Sequence, residues 1–159
     1  EQGAYIIEQL KKLKSTGSLR STVILHRSHT GLRKIKYLLD SNGFEAQELL
    51  RNEDIDYESD SIKICTLSSV KGLEFDNVFI IDLNENIIPY PAGFIDKDDE
   101  FHISTERRLL YTSMTRARER LYLLSSGIPS RYLSEIDIDL LNKVSTEPNP
   151  EIKVSDLPF

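Results

Sequence analysis

Residues 62–83 read IKICTLSSVKGLEFDNVFIIDL, and their pattern decides the fold. Ile62-Lys63-Ile64-Cys65 and Val78-Phe79-Ile80-Ile81 are short apolar runs, as in strands covered on both faces. Between them lies a polar turn with Gly72. Upstream, Thr22-Val23-Ile24-Leu25 is a third such run, and downstream Leu121–Leu124 is a fourth. Helical spacing separates them. Ile6, Leu10 and Leu13 line one face of a helix over 4–14 that stops at Gly17. Ser28 caps a second helix carrying Leu32, Ile35 and Leu39, ended by Asn42-Gly43. Residues 44–50 hold a short strand, and the acidic residues 51–60 form a loop. A third helix over 104–117 places Leu110, Met114 and Ala117 on one face. Residues 84–102, with Pro89, Pro91 and Gly93, form a long irregular connection. Pro129 suits the first turn of a short helix. Strands alternating with helices predict an α/β fold with a parallel sheet and helices on both faces. The working residues of such sheets lie on loops at the carboxyl ends of strands. The apolar pattern fades from Asp137, so the domain is expected to span 1–136, with 137–159 a flexible or externally docked tail.

The chain has 159 residues, 39% hydrophobic and 29% charged, with 20 Lys+Arg against 26 Asp+Glu and a net charge of −6. That excludes a polybasic protein held to nucleic acid or membrane by bulk charge alone. One cysteine, Cys65, excludes an intrachain disulfide and a multi-Cys zinc site, and favours a reducing, cytoplasmic location. No apolar run approaches the ~20 residues a membrane span needs. There is no initiator Met, and the chain reads as a piece of something longer.

Three segments carry chemistry. In the first, Thr66 to Asp76, hydroxyls and backbone N–H groups suit a phosphate. Gly72 permits a tight turn beside Lys71, and Glu74 offers an acceptor for a sugar hydroxyl. An ordinary strand–turn–strand with a solvated lysine fits as well. The second, Glu106 to Arg120, holds five arginines, whose guanidiniums offer bidentate donors to phosphate. A solvated helix with Glu106 and Glu119 pairing is the alternative, and it suits Arg107, Arg118 and Arg120 better than Arg116. Arg116 and Arg120 share a helix face if the helix runs that far. In the third, His26-Arg27-Ser28-His29, Arg27 stands between a strand end and a helix N-terminus, a place for an anion. His26 could stack on a flat base. Plain surface residues are the alternative there.

In order, these segments resemble the second RecA-like lobe of superfamily 1 DNA helicases of the UvrD/Rep type. TLSSVKGLEFDNVFIIDLNENIIP is similar to the family's fifth motif, STERRLLYTSMTRARERLYL to its sixth, and VILHRS to its fourth. The resemblance spans about residues 20–135 and implies a RecA-like fold. It further implies an ATP site shared with an N-terminal RecA-like lobe that holds the phosphates and Mg2+. Arg116 is then the arginine finger and Arg27 a second γ-phosphate sensor. Glu74 holds the ribose, with Lys71, Gly72 and His26 also at the nucleotide. Thr66 and Ser68 meet single-stranded DNA. On this reading Arg27, Glu74 and Arg116 face one rim, and the isolated chain hydrolyses nothing.

Ser68 stands where the family has His, and His26 where an adenine-stacking Tyr is common. About thirty residues separate the fourth and fifth motifs, where UvrD-like enzymes carry a large insertion. The short spacing points to a smaller relative, and one branch of these binds RNA polymerase. A degenerate lobe kept for protein binding is a further alternative. The phosphate cradle G-x-x-x-x-G-K-[ST] occurs nowhere in the sequence. Asp82 imitates a magnesium-binding carboxylate at a strand end, but in this position it reads as structural. No metal ligand set is predicted.

Overall fold

The computed structural model describes residues 1–50, 55–91, 93–96 and 98–145. It contains three helices, α1 (Gln2–Thr16), α2 (His29–Ser41) and α3 (Glu100–Met114). The strands are β1 (Thr22–His26), β2 (Ala46–Glu48), β3 (Ile62–Thr66), β4 (Phe75–Ile80) and β5 (Ala117–Leu123). They form one sheet in the order β2-β3-β1-β4-β5, and every neighbouring pair is parallel.

Alternation along the strands builds two cores, because successive side chains leave a strand on opposite faces. Ile24, Ile62, Ile64 and Phe79 meet Ile6, Leu10, Leu32, Ile35 and Leu39 of α1 and α2. Val23, Leu25, Cys65, Val78 and Ile80 meet Leu67, Val70, Leu110 and Tyr132 on the α3 side. The sheet is thus an α/β sheet covered on both faces. Burial pushes the Cys65 thiol up to about 12, so it packs as a small apolar group.

Two local signals are realised closely. Ser28 Oγ accepts the Gly31 N–H at 3.3 Å and caps α2. Gly31 has a second role: a Cβ there would lie 2.1 Å from ring atoms of His26, so only glycine lets α2 approach the end of β1. Gly72 turns the chain between β3 and β4 at φ 84°.

The boundaries around the third helix differ from expectation. It begins at Glu100 rather than Ser104 and ends at Met114 rather than Ala117. Asp99 starts it early, its side chain accepting the His102 N–H at 2.8 Å. β5 begins at Ala117, four residues before the apolar run, and β4 begins at Phe75, three before its own. β5 is an edge strand, so Arg118, Glu119 and Arg120 sit on it exposed without an apolar pattern to announce them. Arg116 and Arg120 therefore share no helix face. Arg118 instead pairs with Asp76 at 2.8 Å, and Arg120 donates to Asn77 Oδ1 at 3.3 Å.

After β5 the chain is clasped to α3. A 3₁₀ turn, Arg131–Glu135, follows Pro129. Its Tyr132 is fully buried and donates from its hydroxyl to Ile103 C=O at 2.8 Å. Glu135 receives Arg107 and the Tyr111 hydroxyl, each at 2.9 Å. Residues 137–145 are largely exposed and include a short 3₁₀ turn, Ile138–Leu140. The rest of the expected tail lies outside the described residues, as do residues 51–54 of the expected acidic loop. Among the described residues no helix is long and apolar enough to cross a membrane.

Candidate functional site

Strand polarity distributes the predicted residues over two edges of the sheet. Glu74 and Arg116 stand immediately before β4 and β5, at the amino ends. Phe75 N–H donates to Arg116 C=O at 2.9 Å, so the two are neighbours across the sheet. The Arg116 guanidinium rests on neutral oxygens only. Nε donates to Thr112 C=O at 3.2 Å, Nη1 to Leu73 C=O at 3.5 Å and Nη2 to Thr115 Oγ1 at 3.0 Å. Among the described residues no carboxylate pairs with it, and exposed Glu74 has no ion-pair partner either. Arg116 closes one end of an open groove of about 570 Å³ along α3. Ser104, Arg107, Arg108, Tyr111, Thr112 and Thr115 also line it. A cation with unsatisfied charge amid hydroxyls is chemistry suited to a phosphate. Lys71 and Gly72 are exposed on the turn just before Glu74.

Arg27 leaves the opposite edge. It follows β1, whose Leu25 is level with Ile80 of β4. Its backbone therefore stands about 25 Å from Glu74 along the strands, about eight residue steps at ~3.3 Å each. The expected common rim is met by Glu74 and Arg116 but not by Arg27, because the first two precede strands and the third follows one. The side chain of Arg27 reaches α3 nonetheless. Its Nε and Nη2 each donate at 2.8 Å to the two oxygens of Glu106, and its guanidinium lies 4.8 Å from the Tyr90 ring centroid. Glu106 precedes Arg116 by ten residues, about 15 Å of helix.

The alternative in which Glu106 pairs on a solvated helix face does not hold, although Glu106 does pair. It is 4% exposed. Burial raises its carboxyl, but Arg27 and the Tyr90 N–H, 2.9 Å away, outweigh this and hold it below the ordinary carboxylate range. A signal was present: Glu106 sits one helical turn before Leu110, on the apolar stripe.

His26 serves the fold rather than offering a stacking surface. It is 4% exposed, with Gly31 packed against its ring. Ser28 N–H donates to Nδ1 at 2.9 Å, which assigns the ring proton to Nε2, and Nε2 donates to Asp82 Oδ2 at 3.1 Å. Asp82, at φ 53°, also receives Gln2 Nε2 at 2.7 Å and Ser126 Oγ at 3.4 Å. The His26 bond above all, then that of Gln2, holds its carboxyl below the usual range against the opposing effect of burial. It ties β1, α1 and the segment after β5 together, as a structural carboxylate should. Thr66 ends β3 on this same edge, sharing hydrogen bonds with Ser69 at 2.9 Å and with exposed Ser68 at 3.1 Å.

These two depressed carboxyls, with the more exposed Asp60 and Glu135 held down by Ser18 and Arg107, shape the acid response. Folding with a lowered pKa stabilises above the unfolded value of about 4. The contribution is lost as pH falls from there through the lower folded values. Thermal unfolding midpoints should stay level from pH 7 to 5 and drop below about pH 4. Asp82→Asn should lower the plateau and flatten that drop. An unchanged acid slope in the variant would remove Asp82 from this account.

The profile of the UvrD-like helicase C-terminal domain family matches residues 44–127. The ATP-dependent DNA helicase PcrA of Staphylococcus epidermidis is 38% identical over 103 residues, 56% of this chain and 14% of that protein. PcrA of Staphylococcus aureus is 35% identical over 120 residues, 67% of this chain and 16% of that protein. The helicase Rep of Buchnera aphidicola is 38% identical over 114 residues, 64% and 16% respectively. The chain thus spans 14–16% of the length of these relatives. A crystal structure described as the C-terminal domain of a possible DNA helicase from Lactobacillus plantarum WCFS1 shares the fold. Its TM-score is 0.64 at 23% identity, over 87% of this chain and 75% of that one.

Proposed function

Because this chain belongs to the UvrD-like helicase C-terminal domain family, we propose that it is the second RecA-like lobe of an ATP-dependent DNA motor. Its partner in that reading is an N-terminal lobe of the same protein, which holds the phosphates and Mg2+. The observation that carries the proposal is that Arg116, with no carboxylate partner among the described residues, stands beside Glu74 at one edge, next to a cationic groove.

Phosphoryl transfer spreads charge over the oxygens of the moving group, and a preorganised guanidinium stabilises it. Arg116 has that role. Its present acceptors are neutral, so turning to a phosphate breaks no ion pair. Glu74, at the neighbouring strand start, accepts from the ribose, and Lys71 and Gly72 border the same side. Arg27, whose backbone lies at the opposite edge, reaches α3 at Glu106 and is the second phosphate contact from there. Thr66 and Ser68, on the other edge, offer hydroxyls to the backbone of single-stranded DNA. The lobe ends near residue 136, past the buried Tyr132. The cytoplasm is the proposed place of action, in keeping with a buried free thiol. A polymerase-associated role draws no support from relatives that are named as DNA helicases.

The proposal is tested by comparing this chain with the intact protein. The intact protein should hydrolyse ATP in response to single-stranded DNA. This chain alone should show no hydrolysis above background, since the cradle that fixes the phosphates is not in its sequence. Hydrolysis by the chain alone at the intact protein's rate would overturn the division of labour.

A further inference from the structure

Arg27 is held on two sides, and the way it is held says more than that it is paired. Glu106 takes the Nε and Nη2 edge of the guanidinium, with both contacts at 2.8 Å. The guanidinium carbon lies over the Tyr90 ring, 4.8 Å from its centroid. Nη1 is the one nitrogen of the group with no hydrogen-bond partner among the described residues. The guanidinium is planar, so a two-point hold on one edge fixes the direction of the remaining nitrogen. The fixing carboxylate is itself immobile: Glu106 is 4% exposed, and the oxygen that receives Arg27 Nε also receives the Tyr90 N–H at 2.9 Å. The side chain of Arg27 keeps 23% exposure, so the assembly is buried at its base and open at its tip.

A structural ion pair can take the same side-on form; what a ligand role adds here is the unpartnered Nη1. Removing either partner of a buried pair leaves an uncompensated charge. Arg27 therefore cannot be expected to leave Glu106 in order to bind an anion. It has no need to leave, since the side-on geometry keeps Glu106 satisfied while two N–H donors stay available on Nη1.

We propose that Glu106 is a positioning residue. It acts through Arg27, holding the guanidinium so that Nη1 is presented to a ligand phosphate while the pair stays intact. Tyr90 completes the mount, with its ring beneath the guanidinium and its N–H on the carboxylate. This rests on the reading above in which Arg27 contacts the nucleotide.

The test is a double-mutant cycle in the intact protein, with Arg27→Ala, Glu106→Gln and the double variant. DNA-stimulated kcat/KM for ATP and equilibrium binding of ATPγS are both read. Glu106→Gln keeps the side chain's shape and an acceptor for the Tyr90 N–H, and removes the charge. Arg27→Ala and Glu106→Gln should each lower kcat/KM about tenfold, and the double variant should match Arg27→Ala within twofold, since the carboxylate has nothing left to position. Glu106→Asp keeps the charge and disturbs the packing, so it should be the milder of the two Glu106 changes. Multiplicative losses in the double variant, or Glu106→Asp worse than Glu106→Gln, would show a packing role and overturn the proposal. ATPγS binding gives the same cycle without turnover, should a variant be too weak to assay. If Arg27→Ala alone leaves both readouts unchanged, the nucleotide reading of Arg27 falls, and this proposal with it. The single variant thus reports on the reading and the cycle on the proposal.

Discussion

Arg116→Ala should reduce DNA-stimulated ATP turnover of the intact protein by about 10³–10⁵, the range that arginine fingers command in related phosphoryl transfers. The lobe should stay folded. Arg116 is only partly buried, and what it leaves behind is neutral: the carbonyls of Thr112 and Leu73 and the hydroxyl of Thr115. No charge is stranded, so stability should change by no more than about 0.5 kcal/mol. Arg116→Lys should not restore the rate, because an ammonium cannot present the planar fork. Stopped-flow or coupled ATPase measurements at saturating DNA check this, with urea unfolding as the control for folding. Turnover within tenfold of the unmodified protein would take the finger role away from Arg116.

Tyr132→Ala should cost about 3–5 kcal/mol, as for large buried aromatic side chains truncated in a core. Tyr132 is fully buried against the α3 side of the sheet. Its hydroxyl donates to Ile103 C=O in the first turns of α3, and Arg107 lies 5.5 Å over its ring. The cavity would open beneath the helix that carries Glu106 and leads into Arg116. The loss should therefore appear both in urea unfolding and as increased hydrogen exchange along Glu100–Met114. Tyr132→Phe should lose only about 1 kcal/mol, the worth of one hydrogen bond. A loss below about 1 kcal/mol for the alanine variant would mean that the segment after β5 is a peripheral strap.

Much of this was legible locally. The runs at 22–25, 62–65, 78–81 and 121–124 are strands because they are short and apolar throughout, which only a sheet covered on both faces accommodates. Ser28 and Asn42-Gly43 bracket α2 by chemistry that acts within a few residues. The start of β5 was not legible. Ala117–Arg120 carries three charged residues in four, and becomes a strand by pairing with Phe75 and Asn77 some forty positions earlier. Its amino-terminal half reads as a continuation of the helix until that pairing is known.

The amino-acid order by itself determined the family and the parallel α/β sheet, since both rest on patterns within runs of twenty or so residues. Only the tertiary structure decided which arginine carries a free charge. Nothing local separates Arg27 from Arg116, as each stands where a strand and a helix meet. Yet Arg27 finds Glu106 across 79 residues and is neutralised, while Arg116 finds only carbonyls and a hydroxyl. The Coulomb energy of a guanidinium depends on what lies within a few ångströms of it. For these two side chains the chain order leaves that unstated, and the packing of α3 over the sheet supplies it.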